Sequence, residues 1–241
     1  TTDAGEYAFL SHLKDRFPLL EDSATETHVG IGVATGADHV FILGQKNEMI
    51  EEDRQIPLLM ASDIRSDQLE WSNHYLVNPY DSEDGDGSLV NLVEYPGLRA
   101  YMEIHAIQLK ARYVARNFPH NWYRTIDRVW PALRQKAKLV LPDIQSGGVI
   151  GLDPGHYYPH HNVYWITSQE WPLRVLQALL RSSLVLLQIR AFSVQMRGGS
   201  LRYQAQTLRK LRLPAYRQLS WKTLEDLSAV ATSKDQQAID D

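Results

Sequence analysis

The sequence contains no cysteine, which excludes disulfides, cysteine nucleophiles and thiolate metal sites. It also lacks an apolar run of roughly 20 residues, the length of a membrane span. No basic start followed by an apolar stretch indicates a signal peptide. The absence of cysteine fits a reducing cytoplasm, and we expect a cytoplasmic protein without a membrane partner. Because the chain begins at Thr1 without a methionine, we expect it to be a piece of a longer protein.

What is present is typical of a soluble globular protein. The 241 residues are 44% hydrophobic and 22% charged. This length allows one large domain or two small ones.

The charged residues are strongly segregated along the chain. Residues 1–95 carry 5 Lys and Arg against 19 Asp and Glu, a net charge of −14. Residues 96–222 carry 19 against 5, a net charge of +14, and residues 223–241 carry 1 against 5, a net charge of −4. Such asymmetry favours a polyanionic partner, nucleic acid above all, for the basic segment. The alternative is a basic lobe that docks on the acidic one.

Hydrophobic periodicity predicts an α+β fold with small, mostly antiparallel sheets and packed helices. A hairpin is expected from strands at residues 28–35 and 39–43, joined by a Gly36-Ala37-Asp38 turn. Helices are expected at residues 5–20, at 96–116, and as a long core helix at about 169–190. Further strands are expected at residues 56–60, 75–77, 138–142, 149–153 and 162–167.

Two short motifs resemble cofactor-binding or catalytic sequences, but the residues around them do not fit such sites. Gly30, Gly32 and Gly36 are spaced somewhat like a dinucleotide loop, but such a loop needs a helix after it, and a β-branched strand is predicted here. Asn78-Pro79-Tyr80 lacks the second proline of the Asn-Pro-Pro-Tyr site of amino-methyltransferases. We interpret it as a strand end and turn, and we expect no catalytic residues in this chain.

A histidine cluster, His156, His160 and His161, gives a second functional hypothesis. With Asp143 or Asp153 it has the ligands for a metal-dependent hydrolase. Ligand spacing of the His-Glu-x-x-His kind is absent, so we expect a surface loop without a metal.

Residues 195–204, QMRGGSLRYQ, concentrate polar side chains after the long helix. Arg and Gln are the side chains that read guanine and adenine edges in the major groove. The glycine pair allows a close backbone approach. The alternative is a basic, flexible connection between helices.

Several segments in this order resemble one family: GIGVATGADHVFI (residues 30–42), YLVNPY (75–80), KLVLPDI (138–144), NVYWI (162–166), the leucine helix (176–187), RGGSLRY (197–203) and Leu213-Pro214. Together they are similar to the TaqI-type C-terminal specificity domain, which is the target recognition domain of adenine-N6 DNA methyltransferases in restriction–modification and related phage-defence systems. The resemblance covers about residues 28–215.

The resemblance implies a target-recognition fold that grips double-stranded DNA opposite a separate catalytic domain. That domain would bind S-adenosylmethionine and flip the target adenine, while this chain would hold no cofactor. Residues 1–27 would then be a linker and N-terminal helix from the missing catalytic domain, 28–215 the specificity domain, and 216–241 a C-terminal helix and frayed tail. The parent would be a bacterial or archaeal site-specific methyltransferase, with endonuclease activity left open.

The same resemblance places base contacts in the loops that interrupt the sheet and before Leu213-Pro214. The base-reading residues expected there are Thr35, Asp38, Arg65, Gln145, Ser146, Gln195, Arg197, Arg202, Tyr203 and Gln204. Cations interleaved with aromatic residues suit phosphate contact; those expected to make it are Arg112, Arg116, Arg124, Arg128, Lys136 and Lys138. A hydrolase and a protein-interaction module remain the alternatives.

Overall fold

The computed structural model describes residues 4–65, 67–81, 87–193 and 199–241. Its helices are α1 (Ala4–Arg16), α2 (Asp38–Phe41), α3 (Pro96–Ile104), α4 (Ala106–Ala111), α5 (Tyr113–Asn117), α6 (Ala132–Gln135), α7 (Leu173–Arg181), α8 (Ser183–Phe192), α9 (Ala205–Leu208), α10 (Trp221–Val230) and α11 (Gln236–Asp240). Its strands are β1 (His28–Ile31), β2 (Ile42–Leu43), β3 (Gln55–Leu59), β4 (Ile64–Arg65), β5 (Gln68–Leu69), β6 (Tyr75–Val77), β7 (Lys138–Pro142), β8 (Ile144–Gln145), β9 (Gly151–Asp153), β10 (Tyr158–Pro159), β11 (Val163–Thr167) and β12 (Leu201–Arg202). The predicted mixed fold of helices and small sheets is confirmed.

A four-stranded antiparallel sheet, in the order β1-β11-β7-β9, forms the centre of the basic half. Strand β7 is buried along its whole length. Because successive side chains point to opposite faces of a strand, Leu139 and Leu141 join the core that includes α7 and α8, while Val140 packs with Val163 and Leu59. The near-continuous apolar sequence of β7 is therefore explained by two covered faces.

A second sheet, in the order β10-β3-β6-β2, has its own core. Strand β10 is parallel to β3, and the other pairs are antiparallel. Phe41, Leu58 and Leu76 pack there with Leu98 and Met102 of α3. Residues from both the acidic and the basic segments thus share one core.

The predicted hairpin at residues 28–43 is wrong. Strand β1 pairs with β11, whereas β2 pairs with β6. Between them, the carbonyl of Ala37 accepts bonds from the N–H groups of Val40 (2.8 Å) and Phe41 (3.0 Å), which closes the turn of α2. Val40 and Phe41 are adjacent and both buried. Successive side chains of a strand point to opposite faces, so an amphipathic strand would expose one of these two residues. A helical turn allows both to be buried.

The predicted long core helix at 169–190 is two helices. Helix α7 begins at Leu173, and α8 begins after a break at Ser182, with a bend of 64°. The hydroxyl of Ser182 donates to Leu179 O (2.7 Å) and accepts from Val185 N (3.4 Å), so it ends one helix and caps the next. The leucine stripe continues across the break, so the hydrophobic periodicity of the sequence does not show where the first helix ends.

The predicted helix at 96–116 is likewise divided, into α3, α4 and α5, with breaks at His105 and Arg112. In the described part of the chain, no single helix has the length and apolar character to cross a membrane, and α7 with α8 meets that test only as a bent pair.

The C-terminal tail, expected to fray, forms α11 and docks where α7 ends and α8 begins. Asp240 accepts hydrogen bonds from Ser183 N (2.8 Å) and Ser183 Oγ (2.6 Å), and Gln236 Nε2 donates to Arg181 O (3.1 Å). Helix α10 packs on α7. The division into segments 1–27, 28–215 and 216–241 stays a prediction.

An ion pair is buried between β7 and β9. Lys138 lies opposite Asp153, both side chains have zero exposure, and Nζ is 2.7 Å from Oδ2. Nζ also donates to the carbonyls of Leu133, Arg134 and Lys136 at 3.0–3.2 Å. Asp153 in turn accepts from the backbone N–H groups of residues 155–157 at 2.8–3.2 Å. Burial lowers the pKa of Lys138, and the charge of Asp153 opposes that shift.

Replacing Asp153 is expected to destabilise the protein strongly. Asp153→Ala leaves the Lys138 ammonium buried without its counter-charge, which typically costs about 3–5 kcal/mol. It also removes the acceptor for three backbone N–H groups. Urea denaturation measures the loss in the free energy of unfolding. The control is Glu52→Ala, which removes an exposed partner of Lys46 and should leave the midpoint nearly unchanged. Equal midpoints for the two variants would contradict the prediction.

Candidate nucleic-acid interface

Three loops meet at one end of the central sheet. Strand β7 ends at Pro142, opposite Val163, where β11 begins. Strand β1 ends at Ile31, opposite Tyr164 of β11. Residues 32–39, 143–149 and 160–162 therefore lie together, and we call this region the loop end. The sequence predicted base contacts in two of these segments, and the register explains why they are neighbours.

Backbone contacts fix the loops against one another. Gly32 N donates to Val163 O (2.9 Å), Val33 N to Pro159 O (3.0 Å) and Asp143 N to Asn162 O (3.0 Å). A Cβ on Gly32 would lie 2.2 Å from the carbonyl oxygens of Pro159 and His160. Glycine is thus required here because two backbones approach closely.

Strands β8 and β12 form a two-stranded ribbon beside the loop end. Arg202 lies opposite Ile144, and Leu201 lies opposite Gln145. Opposed residues share a face, so Arg202 and Ile144 point outward, 41% and 49% exposed, while Leu201 and Gln145 are buried. The structure thus joins two segments that the sequence predicted separately, and a two-stranded ribbon fits the width of a DNA major groove.

Arg202 is held in place by Asp143. Its Nη2 lies 2.7 Å from Asp143 Oδ2, and this bond raises the pKa of Arg202. Arg202 Nε and Asp143 Oδ1 are enclosed and have no hydrogen-bond partner within the described ranges. The carboxylate therefore orients the guanidinium, and the 41% exposure of the Arg202 side chain comes from atoms other than the enclosed Nε.

Three expected base-reading residues are buried and support the loops instead. Gln145 bridges both backbone groups of Val149, accepting at 2.6 Å and donating at 3.1 Å. Thr35, with zero exposure, donates to Asp38 Oδ1 (2.5 Å) and accepts from Ala37 N (3.1 Å). Tyr203 is 1% exposed, and burial raises its pKa to about 12. A polar residue type does not reveal burial, so the sequence carried no sign of these packing roles, and the base-reading role of the three residues stays a prediction.

The other expected base-reading residues are more accessible. Asp38 and Ser146 are exposed at the loop end, and Gln204 is half-buried after β12. Arg65 lies apart, on the β4–β5 hairpin, which packs against Gly151 of β9, and its Nε is 3.3 Å from Glu70. Gln195 and Arg197 lie outside the described residues. Gly199 has φ of +79°, the left-handed conformation that glycine adopts without strain.

The expected phosphate-binding cations divide into two groups. Arg112 is part of the scaffold, since it donates to Thr35 O (3.1 Å) and Trp122 O (3.0 Å), and Lys138 is in the core. The guanidinium of Arg112 is therefore bonded to carbonyl oxygens, and the ammonium of Lys138 is buried against Asp153. The exposed or half-buried cations are Arg116, Arg124, Arg128 and Lys136. Of these, Arg124 stacks over Phe118 and Arg128 over Trp130.

The structure also shows a groove that the sequence did not indicate. It has a volume of about 520 Å³ and runs along β1, lined by Arg128, Trp130, Trp165 and Arg209 among others. Trp165 covers Gly30, where a Cβ would lie 2.1 Å from its ring. Arg209 donates to Val29 O (2.6 Å) and pairs with Glu21 (2.8 Å). Trp165 and Arg209 come from distant segments, so only the fold brings these aromatic and cationic groups together.

The expected hydrolase ligands do not assemble. His156 is exposed, while Asp153 is bound to Lys138 and Asp143 to Arg202. His160 and His161 do stack, with ring centroids 4.0 Å apart, and their acidic neighbour is Asp38. Burial lowers the pKa of His160, and Asp38 opposes the shift. The sequence missed Asp38 as a partner because it lies on the other loop.

Comparison with known proteins identifies a group of relatives. The chain is 41% identical over 235 residues, 98% of its length, to the type II methyltransferase M.XhoI of Xanthomonas vasicola. It is 41% identical over 233 residues to M.PaeR7I of Pseudomonas aeruginosa and 40% over 231 residues to M.BstVI of Geobacillus stearothermophilus, both type II methyltransferases. The chain is homologous to a segment of type II methyltransferases. It spans 40–42% of the length of these relatives. No family model matches it.

Solved structures share the fold of this chain. The type IIG restriction endonuclease BpuSI matches 95% of the chain over 28% of its own, with a TM-score of 0.56 and 12% identity. The type IIL restriction–modification enzyme MmeI, whose structure is in complex with DNA, matches 84% over 26% of its own chain, with a TM-score of 0.58 and 14% identity. The resemblance to restriction–modification enzymes is confirmed.

Adding a methyl group at Gly32 is expected to disturb the loop end. In Gly32→Ala the new Cβ meets two carbonyl oxygens, and overpacking of this kind costs about 1–3 kcal/mol of unfolding free energy. Thermal and urea denaturation measure the loss. Gly44→Ala is the matched control, because nothing lies within 4 Å of its Cβ position. A Gly32→Ala protein as stable as Gly44→Ala would contradict the close contact.

Proposed function

We propose that this chain recognises a specific double-stranded DNA sequence for an adenine-N6 methyltransferase of a restriction–modification system. The observation that carries the proposal is the ribbon of β8 and β12, which presents Arg202 and Ile144 beside the loop end. Homology to type II methyltransferases and the fold shared with MmeI, solved in complex with DNA, support it.

In this proposal the ribbon enters the major groove and Arg202 reads a guanine. An arginine can donate two bonds to guanine O6 and N7. Asp143 holds the Arg202 side chain by one nitrogen, so less rotamer entropy is lost on binding. Ile144, opposite Arg202, provides an apolar surface for a thymine methyl group. Ser146 is exposed at the loop end, where it can contact a neighbouring base.

Phosphate contacts come from cations of the +14 segment that stay accessible. Arg116 and Lys136 are exposed, and their side chains have no ion-pair partner among the described residues. Arg202, Arg217 and Lys138, by contrast, pair with carboxylates of the same basic segment. Phosphate contacts set affinity and its salt dependence, whereas base contacts set the sequence.

The methyl transfer itself is assigned to the rest of the longer protein. There S-adenosylmethionine would supply the methyl group for an adenine flipped out of the duplex. In this chain Asn78 Oδ1 accepts from Tyr80 N (3.0 Å) and Asn78 Nδ2 donates to Tyr80 O (3.0 Å). The Asn78 side chain is buried and makes both of these hydrogen bonds within a local turn, so it is not available to an adenine amino group.

Selection of duplexes from a random library, at several salt concentrations, tests the function. We expect one sequence to be enriched and to be methylated at adenine N6 by the longer protein, as detected by mass spectrometry of the digested DNA. No enrichment at low salt would overturn DNA recognition and favour the protein-interaction module.

The variant Arg202→Ala should weaken binding to the enriched duplex by roughly tenfold to a hundredfold and relax specificity at one base pair. The reason is the loss of a bidentate base contact. Fluorescence anisotropy with single-base-pair variants of the duplex measures both effects. The matched control is Arg217→Ala, because Arg217 also has a 2.7 Å bond to a carboxylate, Glu170, at the opposite end of the sheet. Equal loss on specific and random duplex would remove the base-reading role of Arg202.

The variant Lys136→Ala should weaken binding to all sequences about equally. Removing one phosphate contact reduces the slope of log affinity against log salt by about 1. Binding isotherms at several salt concentrations, on the enriched and a scrambled duplex, give the slopes. Lys222→Ala removes a cation from the exposed start of α10 and serves as the control. A change of sequence preference in Lys136→Ala would contradict a pure phosphate role.

A further inference from the structure

Two histidines and an aspartate from two loops converge at the loop end. One ligand atom from each of Asp38, His160 and His161 lies within 4.8 Å of the others. We propose that these three side chains bind one zinc ion. The site shares His160 and His161 with the hydrolase set considered above, but its carboxylate is Asp38 and it does not include His156. It does not depend on the proposed DNA recognition.

His160 is oriented as a metal ligand. Its side chain is 4% exposed, and its Nδ1 lies 2.7 Å from Asn162 Oδ1. A carbonyl oxygen only accepts, so the proton is on Nδ1 and Nε2 carries a free lone pair. That Nε2 is buried and has no hydrogen-bond partner in the described part of the chain. An outer partner that fixes the tautomer in this way is a regular feature of zinc-binding histidines.

Asp38 is oriented toward the same point. Thr35 Oγ1 donates to Asp38 Oδ1 at 2.5 Å, which leaves Oδ2 as the free oxygen. Asp38 Oδ2 lies 3.6 Å from His160 Nε2. Ligands at about 2.1 Å from a tetrahedral zinc are about 3.4 Å apart. The observed separation therefore accommodates an ion between the two atoms after a small adjustment.

His161 completes the set from the solvent side. Its ring centroid lies 4.0 Å from that of His160, and its side chain is exposed. Three protein ligands leave a fourth position for water or another oxygen donor. Two imidazoles and one carboxylate favour zinc over magnesium or calcium, which prefer all-oxygen sites.

Zinc at this point would cross-link two parts of the fold. Asp38 begins α2, which packs in the second core, and His160 and His161 lie in the turn that leads into β11 of the central sheet. The ion would hold the 32–39 loop against the 160–162 loop.

Metal titration of the full chain tests the proposal. Protein freed of metal with a chelator is titrated with Zn²⁺ by calorimetry and with Co²⁺ by visible absorption. We expect one site per chain, a tetrahedral Co²⁺ spectrum, and a rise of the melting temperature on adding Zn²⁺. His161→Ala should lower zinc affinity by at least about tenfold, as even outer partners of a ligand do. His156→Ala is the matched control, an exposed histidine of the same segment, and should bind as the unchanged protein does.

Two results would overturn the site. One is no stoichiometric zinc on the unchanged protein. The other is equal affinity in His161→Ala and His156→Ala. Because His161 is exposed, its variant should melt as the unchanged protein does when chelator is present, and Asp38→Asn gives a second test with a side chain of nearly the same shape. DNA binding is measured separately, so loss of one property leaves the other standing.

Discussion

The close backbone contact at Gly32 is the constraint on which the rest of the structure depends. Here the segment after β1 lies against residues 159–160, through the bond from Val33 N to Pro159 O (3.0 Å). Residues 158–167 run from β10 of the second sheet directly into β11 of the central sheet. The contact at Gly32 therefore braces both sheets at one place. Without it, the loops that carry Asp38, Asp143 and His160 would have no fixed relation to one another.

Charge is segregated in the sequence but not divided between two lobes. The second core draws residues from 33 to 158, across the boundary at residue 95, and Arg112 donates to Thr35 O across it. Arg209 pairs with Glu21 across the same boundary. The acidic segment thus serves as structural support for the basic one, while the accessible cations face solvent. This arrangement fits a polyanionic partner better than a basic lobe folded onto an acidic lobe.

The sequence predicted what depends on local pattern and missed what depends on distant pairing. Strands at 75–77, 138–142 and 163–167 are short apolar runs, and the structure has each of them. The hairpin failed because β1 finds its partner in β11, far along the chain. Lys138 looked like a surface cation until β9 placed Asp153 opposite it. For the same reason the family resemblance, which placed the expected base contacts in these loops, could not separate outward-facing Arg202 from inward-facing Gln145.

The alternation of the β8–β12 ribbon has an evolutionary consequence. Its inward residues, Leu201 and Gln145, and the following Tyr203 hold the ribbon to the core, whereas Arg202 and Ile144 face away from it. Substitutions on the outer side remove almost no packing, so they can accumulate without unfolding the domain. The outward-facing residues can therefore change rapidly while the inward-facing residues that hold the ribbon to the core stay constant. In the DNA-recognition role proposed above, this separation lets the base contacts change while the fold is kept.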